Sequence, residues 1–198
     1  PPRSTLFPYT TLFRSFDELF ARAPFRHKRL QRLRRARTRT DTGANWKLLL
    51  SGPGLLHGQL KRTIAQDLRA AVSVQIISAY FLPTWRLRKE LIRVGRRGGT
   101  VKLILAGKSD VGLMQLASRR LYRQLLRAGV EIYEYQPQIL HAKLIVIDDV
   151  VYAGSANLDT RSLRINYELL ARMADPKLAA EARKMIAGDL AHCQRVDP

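Results

Sequence analysis

His141-Ala-Lys143-Leu-Ile-Val-Ile-Asp148-Asp-Val-Val-Tyr-Ala-Gly154-Ser155-Ala-Asn157 is the stretch from which the rest of the chain is read. Leu144 to Ile147 are uninterrupted aliphatics, three of the four β-branched, so the run from His141 to Ile147 reads as a buried strand. Alternation puts His141, Lys143, Ile145 and Ile147 on one face, with imidazole and ammonium projecting the same way. Asp148 falls on the opposite face. Val150 to Ala153 reads as the hairpin partner, and small residues around Gly154, Ser155 and Asn157 close it with a turn. A histidine beside a fixed positive charge suits phosphoryl chemistry. The imidazole can attack phosphorus or move a proton near neutral pH, and the ammonium can stabilise phosphate oxygens.

Outward from this stretch, strand and helix patterns alternate. Trp46 to Leu50, Val72 to Ala79, Val101 to Leu105, Val130 to Tyr135 and Tyr167 to Met173 read as strands. Leu60, Ile64, Leu68 and Ala71 fall at helical spacing. Thr84 is an expected N-cap for a helix to about Arg97, stopped by Gly98-Gly99. Met114, Ala117, Leu121 and Leu125 stripe a third helix, and a last one is expected over about Pro176 to Cys193. The order predicts an α/β domain, a mixed sheet with helices on both faces.

The spacing H-x-K-x(4)-D followed by G-S-x-N resembles the signature of the phospholipase D superfamily. The likeness continues in Asn157-Leu-Asp159-Thr-Arg161-Ser162 and Asn166-Tyr-Glu168, and upstream in Ser78-Ala-Tyr80-Phe81-Leu-Pro83, Arg96-Arg-Gly98 and Ala128-Gly-Val-Glu-Ile-Tyr133-Glu-Tyr135. Over roughly residues 46 to 190 the chain is similar to the C-terminal half of bacterial cardiolipin synthases, which implies a phospholipase D-like fold. The resemblance implies that His141 is the nucleophile or its acid–base counterpart, because the family uses two histidines. It implies that Lys143 holds the phosphodiester oxygens, that Ser155 and Asn157 donate further hydrogen bonds to them, and that Glu168 orients the histidine. Asp148 belongs to the motif and counts among the candidate catalytic residues, although its place on the opposite face points to a salt bridge or a turn hydrogen bond. No metal and no cofactor are implied. Asp110, after a strand end, is a further substrate-site candidate.

Lysines and arginines number 35 against 16 acids, a formal net charge of +19, or +17 without Arg3 and Arg14 of the first fifteen residues. Such a balance points to a polyanionic partner, an anionic membrane surface or nucleic acid. Cys193 is the single cysteine, which excludes an internal disulfide. Thr5 to Ser15 match, codon by codon, the translation of a sequencing-adapter oligonucleotide, so residues 1–15 are excluded from the fold and the natural N-terminus is expected to lie elsewhere. Residues 16–45 form a second unit, in which Arg26 to Arg39 carry eight cations and no acid. That unit reads as an interfacial basic segment or as a solvated connector. Residues 46–198 form the catalytic half-domain with the second motif of a pair.

These readings converge on a phosphatidyltransferase acting on phospholipid, peripheral to the cytoplasmic membrane, completed by an N-terminal half or a second copy. Hydrolytic phospholipase D action, and a homodimeric single-motif endonuclease or phosphodiesterase with nucleic acid as partner, are the alternatives.

Overall fold

The computed structural model describes residues 45–52, 58–108 and 112–197. The reading of residues 1–15 as adapter, all of the basic unit 16–45 but its last residue, and the candidate Asp110 lie outside the described residues.

Among the described residues, ten strands and five helices follow in order: β1 (Trp46–Ser51), α1 (Gln59–Ala70), β2 (Ser73–Ser78), β3 (Phe81–Leu82), α2 (Trp85–Arg96), β4 (Thr100–Ala106), α3 (Gly112–Leu126), β5 (Val130–Tyr135), β6 (Lys143–Ile147), β7 (Val150–Gly154), β8 (Leu158–Asp159), α4 (Thr160–Arg164), β9 (Glu168–Ala174), α5 (Pro176–Leu190) and β10 (Cys193–Val196). Eight strands make one mixed sheet in the order β1-β9-β7-β6-β2-β4-β5-β10, and β3 pairs with β8 alongside it. Strands β2, β4 and β5 run parallel, joined by helical crossovers, while β6, β7, β9 and β1 pair antiparallel.

Alternation along each strand supplies two cores. On one face Leu49, Ile76, Leu103, Ile132, Ile145 and Tyr152 pack against Leu60, Ile64 and Leu68 of α1, Leu87 and Leu91 of α2 and Leu125 of α3. On the other, Ile77, Ile104, Leu144, Val146 and Val151 meet Ala179, Ala182 and Ile186 of α5. The expected mixed sheet with helices on both faces is therefore present. Inside the larger core, the fully buried Tyr152 donates its hydroxyl to Asp67. Asp67 is also held by Arg172 at 2.8 and 3.1 Å. Burial and the adjoining carboxylate push the Tyr152 phenol well above its ordinary range.

Three expectations change. The catalytic strand starts at Lys143, not His141, because its partner β2 ends at Ser78, which lies opposite Lys143. His141 sits before the strand, exposed, so alternation does not govern its direction. Of the expected stripe on α3, Leu125 is buried and Leu121 packs against the core, but Met114 and Ala117 are only half-buried and Ser118 and Tyr122 are buried instead. Polar groups of the helix serve Glu134 of β5, which takes a bidentate pair from Arg119 at 2.9 and 2.8 Å and the Tyr122 hydroxyl at 3.3 Å. The last helix ends at Leu190, and Cys193 to Val196 add an edge strand to β5.

Candidate active site

Register brings the polar ends of five neighbouring strands together. The sheet places Ser51 opposite Glu168 on β1 and β9, and Ser78 opposite Lys143 on β2 and β6. Between these pairs β7 ends in Gly154, followed by Ser155. Glu168, Ser51, Lys143 and Ser78 all share the face of the larger core. Their alternation partners Leu170, Leu49, Ile145 and Ile76 belong to it. A row of small hydroxyls, one carboxylate and one ammonium thus caps this end of the sheet.

Gly154 makes the row possible. A Cβ at this position would lie 2.1 Å from the carbonyl oxygen of Leu169. Without one, β7 and β9 close up, Ser155 N–H donates to Leu169 O at 3.0 Å, and the Ser155 hydroxyl accepts from Leu169 N–H at 3.1 Å. The same hydroxyl donates to Glu168 Oε2 at 2.5 Å, and Asn166 Nδ2 donates to Glu168 Oε1 at 3.2 Å. Glu168 is buried, and each of its oxygens has a fixed donor. Its hydrogen bonds therefore go to Ser155 and Asn166 rather than to the imidazole of His141.

Lys143 reaches back to the carbonyl oxygen of His141, Nζ to O 2.6 Å, and so ties the residue before the strand to its first residue. Burial holds the Lys143 ammonium below the usual lysine range, and the charge of Glu168 offsets part of that shift. Such an ammonium gains most from an arriving anion, since an anion restores the solvation it has lost.

Asn157 is buried, and its Oδ1 has no hydrogen-bond partner among the described residues; the Ser51 hydroxyl is in the same condition. Ser51 was invisible in the sequence as a site residue, because only the β1–β9 register sets it against Glu168. Ser78 lies beneath the row, donating to Tyr80 O at 2.8 Å and accepting from Leu158 N–H at 3.2 Å, so it fixes the turn that carries Asn157. Downstream, Asp159 caps α4, its carboxylate accepting from Ser162 N–H at 2.8 Å.

Asp148 does not join this group. It stands at the other end of β6, five residues or roughly 16 Å from Lys143. There its carboxylate accepts from Ser73 N–H at 2.8 Å and Val72 N–H at 3.1 Å. Its φ of 46° makes the tight turn into β7. Among the described residues no cluster of three His, Cys, Asp or Glu forms a metal-sized nest, and no helix is long and apolar enough to cross a membrane.

The family described as "Cardiolipin synthase, PLD-like domain" matches residues 64–190. The chain is 33% identical over 161 residues to cardiolipin synthase A of Pseudomonas fluorescens, covering 80% of this chain and 34% of that protein. It is 36% identical over 131 residues to cardiolipin synthase B of Escherichia coli K12, covering 65% of this chain and 32% of that protein. The chain thus spans about a third of the length of these relatives. Among solved structures, the fold is shared with Nuc, a phospholipase D family member from Salmonella typhimurium, at a TM-score of 0.65 and 18% identity, covering 77% of this chain and 99% of that one. It is shared also with phosphatidylserine synthase of Haemophilus influenzae, at a TM-score of 0.63 and 16% identity, covering 76% and 40%. With strand order, motif and match in agreement, the chain belongs to the phospholipase D superfamily, in its cardiolipin synthase-like branch.

Proposed function

We propose that this chain supplies one catalytic half of a phosphatidyltransferase that works on phospholipid phosphodiesters, peripheral to an anionic membrane. The supporting observation is Lys143, a partly buried ammonium at the strand end, linked to the exposed His141 and neighbouring the charge of Glu168. It stands in a chain related to cardiolipin synthases.

In this reading an imidazole nitrogen attacks phosphorus, the ester bond to the leaving alkoxide breaks, and a phosphohistidine forms while a second histidine protonates that alkoxide. The hydroxyl of an acceptor lipid, deprotonated by the second histidine, then attacks phosphorus and frees the first. His141 fills one of these roles; the other histidine comes from the remaining half or from a second copy. Lys143 carries the phosphoryl charge that builds in each transition state, and Asn157 and Ser155 line the same end. Glu168 acts by fixing Ser155 and by supporting the ammonium.

A second reading, two copies completing one phosphodiesterase site, draws support from the coverage of 99% of the Nuc chain by this fold. One assay separates the readings. Labelled phosphatidylglycerol and labelled DNA are offered together at rising protein concentration, with His141→Ala as control. Transfer is expected to give a diphosphatidyl product, and water as acceptor gives phosphatidic acid. DNA cleavage with second-order dependence on protein favours the paired phosphodiesterase. His141→Ala should lower turnover on the order of 10⁴-fold; turnover retained in that variant removes His141 from the chemistry.

A further inference from the structure

The outer surface of the α1–α2 pair carries a feature that the catalytic row does not use. Between these helices runs an open groove of about 750 Å³. Lys61, Arg62 and Arg69 line it from α1, and Arg86, Lys89 and Arg93 line it from α2. Glu90 is the one carboxylate among the described residues that line it, and it is buried and engaged by Arg93 at 2.8 Å. Six cations against one acid leave the groove at +5.

We propose that this groove is a docking site for the phosphate-bearing headgroup of an anionic phospholipid, separate from the catalytic end. Arg62 to Arg69 and Arg86 to Arg93 each span seven residues, so two rows of cations about 10 Å long line opposite walls. A nucleic-acid strand on a sequence-independent site occupies roughly four nucleotides or more, a longer footprint than these rows offer. The groove is also prebuilt. At its far end Arg97 donates to the carbonyl oxygens of Arg69 at 2.7 Å, Leu68 at 3.0 Å and Ala71 at 2.6 Å, which fastens the end of α1 to the end of α2. Leu60, Ile64, Leu87 and Leu91 anchor the same helices in the core.

The indole at the mouth favours a bilayer. Trp85 opens α2, is 62% exposed, and holds the ammonium of Lys89 at 4.9 Å from its ring centroid. An exposed tryptophan beside cations suits the headgroup level of a membrane, where the ring meets acyl chains and the charges meet phosphates. Both helices begin at the end of the sheet that carries Lys143, since β1 ends there and β3 lies beside β8 there. Leu113 and Leu116 in the first turns of α3, Ile139 before β6 and Ile165 after α4, each more than half exposed, lie at that same end. A bilayer seated at the mouth of the groove therefore also faces the catalytic row. The inference does not depend on which reaction that row performs.

The test uses the 198-residue chain, Arg62→Gln/Arg86→Gln/Lys89→Gln, and Trp85→Phe. Sedimentation with phosphatidylcholine vesicles, with and without phosphatidylglycerol, reads affinity; brominated phosphatidylglycerol reads quenching of Trp85 as the difference between the wild-type chain and Trp85→Phe. The triple variant should bind the anionic vesicles roughly 100-fold more weakly at an unchanged melting temperature, about fivefold for each cation removed. Because the eight cations from Arg26 to Arg39 would add to any attraction to anionic vesicles, Trp85 quenching in the wild-type chain is the reading that reports the groove itself, and it does not require the triple variant to fold. Binding of the folded triple variant within about twofold of wild type, or absence of the Trp85 quench, overturns the proposal. So does tighter binding of single-stranded DNA than of vesicles, lost in the triple variant, which assigns the groove to nucleic acid.

Discussion

The two ends of the sheet treat polar groups in opposite ways. At the end carrying Asp148, most polar groups are tied to backbone: Asp148 takes the amides of residues 72 and 73, and Arg97 takes the carbonyls of Leu68 and Arg69 in α1 and of Ala71 just after it. Gln75 on β2, whose buried Oε1 has no partner among the described residues, is the exception. Arg183 donates to the carbonyl oxygen of Asp148 at 2.6 Å. At the end carrying Lys143, Ser51 and Asn157 keep buried oxygens without partners among the described residues, His141 is exposed and the ammonium is partly buried. Saturated polar groups hold a fold in place. Groups left short of partners have free energy to gain from a ligand, and that is the condition for a site.

The strongest way to break this contrast is to make the catalytic end sterically impossible. Gly154→Ala drives a methyl into the Leu169 carbonyl and so separates β7 from β9 where Ser155 meets Glu168. Destabilisation of about 3–5 kcal/mol is expected in urea melts, larger than any single hydrogen bond in the site could cause. A loss below about 1 kcal/mol would mean the strands separate easily and that the close approach does not assemble the row.

The next test removes the anchor at the opposite end. Asp148→Ala deletes a carboxylate that accepts from two amides and places a methyl-bearing residue at positive φ, for an expected cost of about 2–3 kcal/mol. Asp148→Asn keeps an acceptor and tolerates the left-handed turn, so it should cost about 1 kcal/mol. Turnover per folded molecule should be near wild type in both. Turnover lost at undiminished stability would move Asp148 to the chemistry and dissolve the distinction between the ends.

This contrast was only partly legible in the sequence. Strands β5, β6 and β7 were readable to within one or two residues because their alternating or aliphatic patterns agree with their burial. The catalytic candidates His141, Lys143, Ser155, Asn157 and Glu168 came from motif spacing. What spacing could not convey is partnership across strands. Ser51 and Glu168 are 117 positions apart, yet register makes them neighbours. Helix α3 misled because Tyr122 turns inward onto the buried Glu134, which the half-exposed Arg119 reaches from the rim. Strand β10 carries the exposed Gln194 and Arg195 and packs only Cys193 and Val196 against the cores, too short a pattern for hydropathy to give it a signature.

The smallest predicted effect sharpens the comparison most, because it concerns one proton. Burial lowers the pKa of Lys143 and the charge of Glu168 raises it in part. Glu168→Gln keeps an acceptor for Ser155 but removes the charge, so the Lys143 pKa should fall further, seen by ¹⁵N NMR of its Nζ. The sign for stability follows. A lysine whose folded pKa lies below its ordinary value of 10.5 releases its proton in the folded state first. Stability therefore rises with pH from the folded pKa up to the unfolded one. In Glu168→Gln that rise should begin at lower pH than in the wild-type chain, and the alkaline limb of turnover, which needs the ammonium, should move the same way. An unchanged or raised Nζ pKa would mean that Glu168 does not support the charge on Lys143. The row at this end of the sheet would then be held together by hydrogen bonds alone.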